Sequence, residues 1–304
     1  MPITARVPPF NTTLMGVVRA VADAYRLPVS DAMLFGLSGH AFKINIHDTL
    51  CPSGPYCWDR KPFYQTLSHV GIQITESAFM GSDSTAQERR AVEADLLGRL
   101  DRGEPCGLVN LEYQLITGSD ETGFLTSQPW PGIDFPPGHL TFGSWQEMGP
   151  EIHVTFLTFA RVRPAPFLTA VKASLRWALD PNEHASHENG YHSGLAAYDA
   201  WIKAVEDGYG GGHGNWWNGQ VWSECRRFAS RYARELAEAL PEAAPYAADL
   251  ETGYLAIADN LARVSDKALP AEEKVGRLRE ARSRETACLE RLSRLLEDLN
   301  QRGS

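Results

Sequence analysis

Residues 36–59, GLSGHAFKINIHDTLCPSGPYCWD, are the stretch around which the rest of the chain is organised. They combine two His, two Cys, a Trp and five Gly or Pro within 24 residues. A packed helix or strand has no need of that mixture, whereas a loop that lines a site does. Only Phe42, Ile44 and Ile46 alternate as the residues of a strand would. The stretch therefore predicts a loop that carries chemistry, with one short strand inside it.

The composition limits the class of protein. The chain has 304 residues, 43% of them hydrophobic and 22% charged, which is typical of a globular protein with one large or two ordinary domains. Its net charge of −9 argues against nucleic acid and anionic membranes as partners. No apolar run approaches the roughly 20 residues that span a bilayer, and no signal core opens the sequence. We expect a cytoplasmic protein with no membrane partner.

The five cysteines do not form a recognisable framework. Their number is odd and their spacing is scattered, which argues against disulfides, and Cys51 and Cys57 do not have zinc-ribbon spacing. The histidines of HASHENGYH, namely His184, His187 and His192, fit no established ligand pattern, so a solvated loop is expected there. We predict neither a metal nor a cofactor.

The periodicity changes between the two halves of the chain. The first half predicts helices from about residue 12 and over 31–37, 59–70 and 85–100, the last with a capping box of Ser84 and Gln87. Strands are expected at 71–75, 106–110, 113–117, 124–126, 139–142 and 152–162. Beyond Pro164 almost every apolar residue recurs at helical spacing. The prediction is an α+β domain over residues 1–163 followed by an all-helical bundle over residues 164–304.

Two segments carry a resemblance to a known family. They are the two predicted helices followed by GLSGHAFKINIH (36–47), and LDRGEPCGLVNLEYQLITGSDETGF (100–124). Together they resemble the N-terminal domain of the butirosin biosynthesis protein H group, which has a papain-like, peptidase C39-like fold. The resemblance covers roughly residues 8–160, and a helical C-terminal region is usual for the group. It implies a papain-like cysteine-peptidase-type domain and acyl transfer in natural-product metabolism.

The sequence departs from that family where the chemistry should be. At the head of helix one, where the family has its nucleophilic Cys, this chain has Asn11, Thr12 and Thr13. The family has its catalytic His before a Gly–Tyr–Asp phrase. In this chain Glu112 stands at the position of that His, and Ser119 stands at the position of the Tyr. The Cys–His pair therefore does not carry over. The resemblance implies the pocket, and the chemistry in it must differ or be absent.

Three residues are the predicted catalytic groups. Cys51 is the candidate nucleophile and His40 the candidate base, because a thiol needs a neighbouring base to become a thiolate. Glu112 lies in an apolar strand phrase, where a carboxylate is costly unless paired, so it is expected to orient or transfer protons. The alternatives are a buried small Cys51, a His40 satisfied by a backbone carbonyl, and a Glu112 salt bridge to Lys43 or Arg60.

Six further residues are predicted to contact substrate. The hydroxyls and helix-end N–H groups of Thr12 and Thr13 suit an oxyanion, although plain helix capping explains them as well. Asp59 could orient a histidine or cap the helix that follows. The aromatic residues among the six are Trp58, Tyr113 and Trp216, with core packing as the alternative for Trp58.

The predicted function is a small-molecule acyltransferase or amide hydrolase with a non-standard site on a papain-like fold. The substrate is a small molecule, with a carrier-bound or thioester-linked form left open, as is a homodimer. Two alternatives remain. One is a catalytically degenerate protein that binds a ligand or partner, and the other is a non-covalent acid–base enzyme that uses Glu112 and His40.

Overall fold

The structure is a computed structural model that describes residues 4–130, 132–181, 185–186 and 188–301. The chain forms two compact units. The sheet unit comprises Met1–Val29 and Gly71–Pro164, and the helical unit comprises Ser30–Val70 and Ala165–Ser304. The class is α+β with a helical C-terminal region, as predicted.

The sheet unit is built on a six-stranded antiparallel sheet in the order β2-β7-β3-β4-β5-β6. The strands are β2 (Ile72–Met80), β3 (Cys106–Asn110), β4 (Glu112–Ser119), β5 (Gly123–Ser127), β6 (His139–Thr141) and β7 (Val154–Arg161). Helix α1 (Thr13–Ala24) contacts β4, and α4 (Ala86–Asp101) contacts β3 and β4. The core under α4 includes Leu96, Leu108, Phe124 and Trp145. This packing places the head of α1 against the start of β4.

The helical unit contains the remaining elements. They are α2 (Asp31–Leu37), β1 (Asn45–His47), α3 (Lys61–Ser68), α5 (Phe167–Leu179), β8 (Tyr191–Ser193), α6 (Leu195–Glu206), α7 (His213–Ala239), α8 (Ala244–Val264) and α9 (Ala271–Gln301). Helix α7 packs on α8 and α2, and α9 packs on α8, α6 and α5. Gly36 of α2 lies so close to α7 that a Cβ there would meet the Tyr232 ring at 2.1 Å. The strands β1 and β8 form a separate antiparallel pair.

A buried ion pair joins the long helices to the 36–59 stretch. Nε of Arg226 on α7 donates to Glu285 on α9 over 2.7 Å, and the two side chains are 1% and 4% exposed. Nη1 of Arg226 donates to the carbonyl oxygens of Ala41 and Lys43 at 3.0 and 2.9 Å. The Tyr198 hydroxyl also donates to Glu285 over 2.9 Å. Because the guanidinium satisfies two loop carbonyls, the conformation of the stretch depends on α7.

The structure differs from the predictions in several places, among them the end of β2, which runs to Met80 instead of ending near residue 75. The capping box uses Thr85 and Glu88 instead of Ser84 and Gln87, because the helix begins one residue later, at Ala86. The strand inside the 36–59 stretch is only Asn45–His47, since a 3-10 turn occupies His40–Phe42. Residues 30–70, which the predicted division put in the first domain, pack within the helical unit.

Candidate functional site

The 36–59 stretch packs within the helical unit as a loop rich in buried polar groups. Strand β1 within it pairs with β8 in the register Asn45 to Ser193 and His47 to Tyr191. This pairing joins side chains that are far apart in the sequence into what we call the loop cluster. Its members are Lys43, Asn45, Cys51, Ser53, Cys57, Trp58, Tyr191 and Ser193.

Two buried asparagines hold the backbone of the loop cluster in shape. The Asn45 amide donates to the carbonyl oxygens of Gly54 and Cys57, each over 2.9 Å. The Asn218 amide on α7 donates to the carbonyl oxygen of Cys51 over 3.1 Å. Gly54 has no room for a side chain, because a Cβ would lie 2.4 Å from Asn218 Oδ1. Satisfied buried amides of this kind make an irregular loop rigid.

Lys43 is the most unusual group of the loop cluster. It is 0% exposed, and its Nζ lies 3.2 Å from Oγ of Ser193 and 5.0 Å from the centre of the Trp58 ring. Burial lowers the pKa of the Lys43 amine well below its usual value near 10.5, and the carboxylate of Asp59 acts in the opposite direction. A lysine whose pKa falls this way can take up a proton as a base.

Cys51 lies at the end of a chain of hydrogen bonds. Its Sγ is 2.7 Å from Oγ of Ser53, and that oxygen is 2.6 Å from the Tyr191 hydroxyl. Burial raises the pKa of Tyr191, with Cys57 and Cys51 contributing in the same direction. Both Cys51 and Cys57 are half-buried free thiols. Cys51 therefore lies beside hydroxyl groups, and neither the Ser53 nor the Tyr191 hydroxyl is a base near neutral pH.

His40 faces a different cysteine from the one expected. Its Nδ1 is 3.6 Å from Sγ of Cys225 on α7, whereas Sγ of Cys51 lies beside Oγ of Ser53. Phe35, Trp58 and Phe63 surround the imidazole with ring centres 5.5–6.1 Å away. Burial lowers the pKa of His40 to about 3, and nearby Lys43 acts in the same direction. The imidazole stays neutral near pH 7 and is a weak base, so this environment does not favour the predicted role of His40.

Glu112 and the head of helix one do meet, within the sheet unit. The Thr13 hydroxyl donates to Glu112 Oε2 over 2.8 Å, and the backbone N–H of Tyr113 donates to Thr13 Oγ1 over 3.1 Å. All three residues are buried. The preceding residue, Leu111, has a left-handed φ of 59°, which turns the chain into β4. The head of helix one and the start of β4 therefore meet through a hydroxyl on a carboxylate.

The other predicted substrate contacts have structural partners. Asp59 accepts the backbone N–H of Lys61 over 3.0 Å at the start of α3, which is the capping alternative. Trp58 is buried, and its Nε1 donates to the carbonyl oxygen of Pro55 over 2.8 Å. Thr12 is buried at the N-cap position of α1.

Trp216 is half-buried in the first turn of α7. Its ring centre is 5.1 Å from that of His213, and Nζ of Lys267 lies 5.8 Å from it. His184 and His187 lie outside the described residues, while Nε2 of His192 contacts Oδ1 of Asp48 over 2.8 Å. These contacts do not join Trp216 to the loop cluster. His192 lies on β8 between Tyr191 and Ser193, which are members of that cluster.

Neither a metal site nor a membrane-spanning helix is found in the part of the chain that the structure describes. No three or more His, Cys, Asp or Glu side chains are grouped there so that they could hold a metal ion. None of the helices described combines the length and the apolar character needed to cross a bilayer. In comparisons with known proteins, no family model matches the chain and no curated protein matches it.

Sequence reasoning missed the pairing of Lys43 with Ser193. The only role that the sequence suggested for Lys43 was an ion pair with Glu112, as the alternative to a catalytic Glu112. Ser193 carries no local signal, because it is 150 residues away from Lys43 and meets it only through the β1–β8 register. No sequence pattern at either position indicated the contact.

Proposed function

We propose that this protein is a small-molecule acyltransferase or amide hydrolase and that its chemistry takes place in the loop cluster. The observation that carries the proposal is the buried amine of Lys43, which lies in one cluster with half-buried hydroxyl and thiol groups. Burial also lowers the pKa of this amine. Nucleophile and base in contact are what acyl transfer needs. Acyl donors of this class are thioesters, activated esters or amides, free or attached to a carrier.

The papain-like architecture is part of this proposal. Its support is the order of elements, with two helices followed by an antiparallel sheet and a helical C-terminal region, together with the sequence resemblance. In this proposal Cys51 is one candidate nucleophile of the loop cluster. His40 has a supporting place in its wall, since its imidazole is enclosed by aromatic rings and remains uncharged.

The test is intact-mass spectrometry after incubation with a panel of acyl thioesters. Wild type should gain the mass of the acyl group less one hydrogen, since a protein hydrogen leaves with the thiol. Cys51→Ala, His40→Ala and Glu112→Gln, each checked for folding by circular dichroism, show which residues the adduct requires. If no adduct forms and no donor is consumed, the proposal is overturned.

A second candidate, non-covalent acid–base catalysis, is favoured by the Thr13–Glu112 contact. A buried carboxylate 2.8 Å from a hydroxyl can accept its proton or that of a substrate group in its place. Consumption of a substrate with no protein adduct, abolished by Glu112→Gln and kept by Thr13→Ser, would support this function. A ligand that raises the melting temperature without being consumed would instead indicate a binding protein.

A further inference from the structure

Ser193 and Lys43 are brought together by strand pairing. Ser193 is the last residue of β8 and is opposite Asn45 of β1. Directly opposed residues of an antiparallel pair point to the same face, as does a residue two positions earlier on an extended strand. Lys43 is two positions before Asn45 and has extended backbone angles of −65° and 139°. The backbone therefore directs the amine toward the serine hydroxyl.

The hydrogen bonds around Ser193 orient its hydroxyl. Both hydrogens of the Asn45 amide are used by the Gly54 and Cys57 carbonyl oxygens, which fixes the orientation of the amide. Its Oδ1 accepts the Ser193 hydroxyl over 3.0 Å, and Oγ of Ser193 in turn accepts a hydrogen bond from Lys43 Nζ over 3.2 Å. Rotation about the Cβ–Oγ bond can turn the hydroxyl hydrogen from Asn45 to Lys43, whose amine accepts it when neutral.

Burial divides the two groups in a way that suits a nucleophile and its base. Ser193 is half-buried, whereas Lys43 is 0% exposed. Burial lowers the pKa of Lys43, which favours the neutral amine that a base needs. Cys51 lacks such a neighbour, since its sulfur contacts the Ser53 hydroxyl. Among the half-buried hydroxyl and thiol groups of the loop cluster, Ser193 is the one found in hydrogen-bond contact with the amine.

We propose that Ser193 is the residue of the loop cluster that accepts the acyl group and that Lys43 is its general base. This inference rests on the proposed function and names the residues that perform it. A serine activated by a lysine is a known variant of the nucleophile–base pair.

The step balances without any further reactant. Oγ of Ser193 attacks the carbonyl carbon of the acyl donor, and its proton passes to the neutral Nζ of Lys43. The bond from carbon to the leaving thiol, alcohol or amine then breaks, and the Lys43 ammonium returns the proton to that leaving group. Water or an acceptor amine or alcohol attacks the resulting Ser193 ester, giving its proton through Lys43 to the released Ser193 oxygen.

The experiment measures the site and the rate of covalent labelling on the full chain. Two probes are used: a fluorophosphonate, which joins an activated serine with loss of fluoride, and the acyl thioester panel. Peptide mapping should locate the adduct on Ser193 of the wild type and lose it in Ser193→Ala. Ser68→Ala is the matched control, because Ser68 on α3 is also a half-buried serine of the helical unit but lies outside the loop cluster, and it should keep the wild-type labelling rate.

Lys43 is tested with Lys43→Gln, and Lys43→Met is the second variant if the first fails to fold. Glutamine keeps a hydrogen-bonding group near Ser193 but cannot accept the proton, so labelling of Ser193 should slow by about 100-fold or more. A purely structural Lys43 would leave that rate unchanged in a variant whose unfolding midpoint is normal, and this result would overturn the assignment of the base.

The outcomes separate this inference from the proposed function. An adduct on Cys51 with none on Ser193 would overturn the inference and leave acyl transfer in place. Acyl-donor consumption that persists unchanged in Ser193→Ala would overturn it in the same way. No adduct and no consumption with any probe would overturn both.

Discussion

Replacing Arg226 with methionine should remove a large part of the stability of the helical unit. Arg226→Met removes the ion pair with Glu285, whose buried carboxylate keeps the hydrogen bond from the Tyr198 hydroxyl. The change also removes the donor that the Ala41 and Lys43 carbonyl oxygens share. Loss of one partner of a buried ion pair typically costs about 3–5 kcal/mol. At roughly 2–4 °C per kcal/mol for a unit of this size, the melting temperature should fall by roughly 6–20 °C.

The neighbouring residue on the same helix is a matched control. Arg227 pairs with Asp259 over 3.1 Å, but the two side chains are 46% and 60% exposed. Exposed pairs contribute about 0–1 kcal/mol, so Arg227→Met should barely change the unfolding midpoint. Urea unfolding followed by circular dichroism measures both variants under the same conditions.

The double variant Arg226→Met/Glu285→Met completes the cycle. It leaves no unpaired charge, so it should be less destabilised than the sum of the two single changes. An Arg226→Met protein within about 1 kcal/mol of Arg227→Met would refute the reasoning, because it would mean that the buried guanidinium contributes no more than an exposed one.

Three further predictions concern packing, titration and thiol exposure. Gly36→Ala should cost about 1–3 kcal/mol or more because a methyl group would overlap the ring packed against it, whereas Gly276→Ala in the open interior of α9 should gain about 0.5–1 kcal/mol; urea unfolding compares them. The pKa of His40 is lowered to about 3, so between about pH 6.5 and pH 3 the unfolded state binds a proton that the native state does not. The free energy of unfolding should therefore decrease as the pH decreases through this range, by up to about 1.4 kcal/mol per pH unit. His40→Gln should show a smaller decrease, and an unchanged slope would contradict the shift. In the native protein an alkylating reagent should modify Cys51 and Cys57 well before the three buried cysteines, and equal rates for all five would contradict the burial pattern.

Local sequence was sufficient for most of the secondary structure. Capping residues and apolar periodicity indicated α1 and α2, and alternation indicated the strands of the sheet unit, because these signals depend on neighbours within one or two turns. Even the error at the capping box was local, since Thr85 and Ser84 are both good capping residues. The loop character of residues 36–59 followed in the same way from its Gly and Pro content.

The sequence by itself determined the α+β class, the helical C-terminal region and the irregular loop that carries candidate catalytic side chains. Only the tertiary structure decided which of those side chains meet, because His40 finds Cys225, Lys43 finds Ser193 and Thr13 finds Glu112 across about a hundred residues or more. Such contacts depend on strand register and helix packing, which no local pattern encodes. They also decide the chemistry, since burial and neighbouring charge set the pKa of each group.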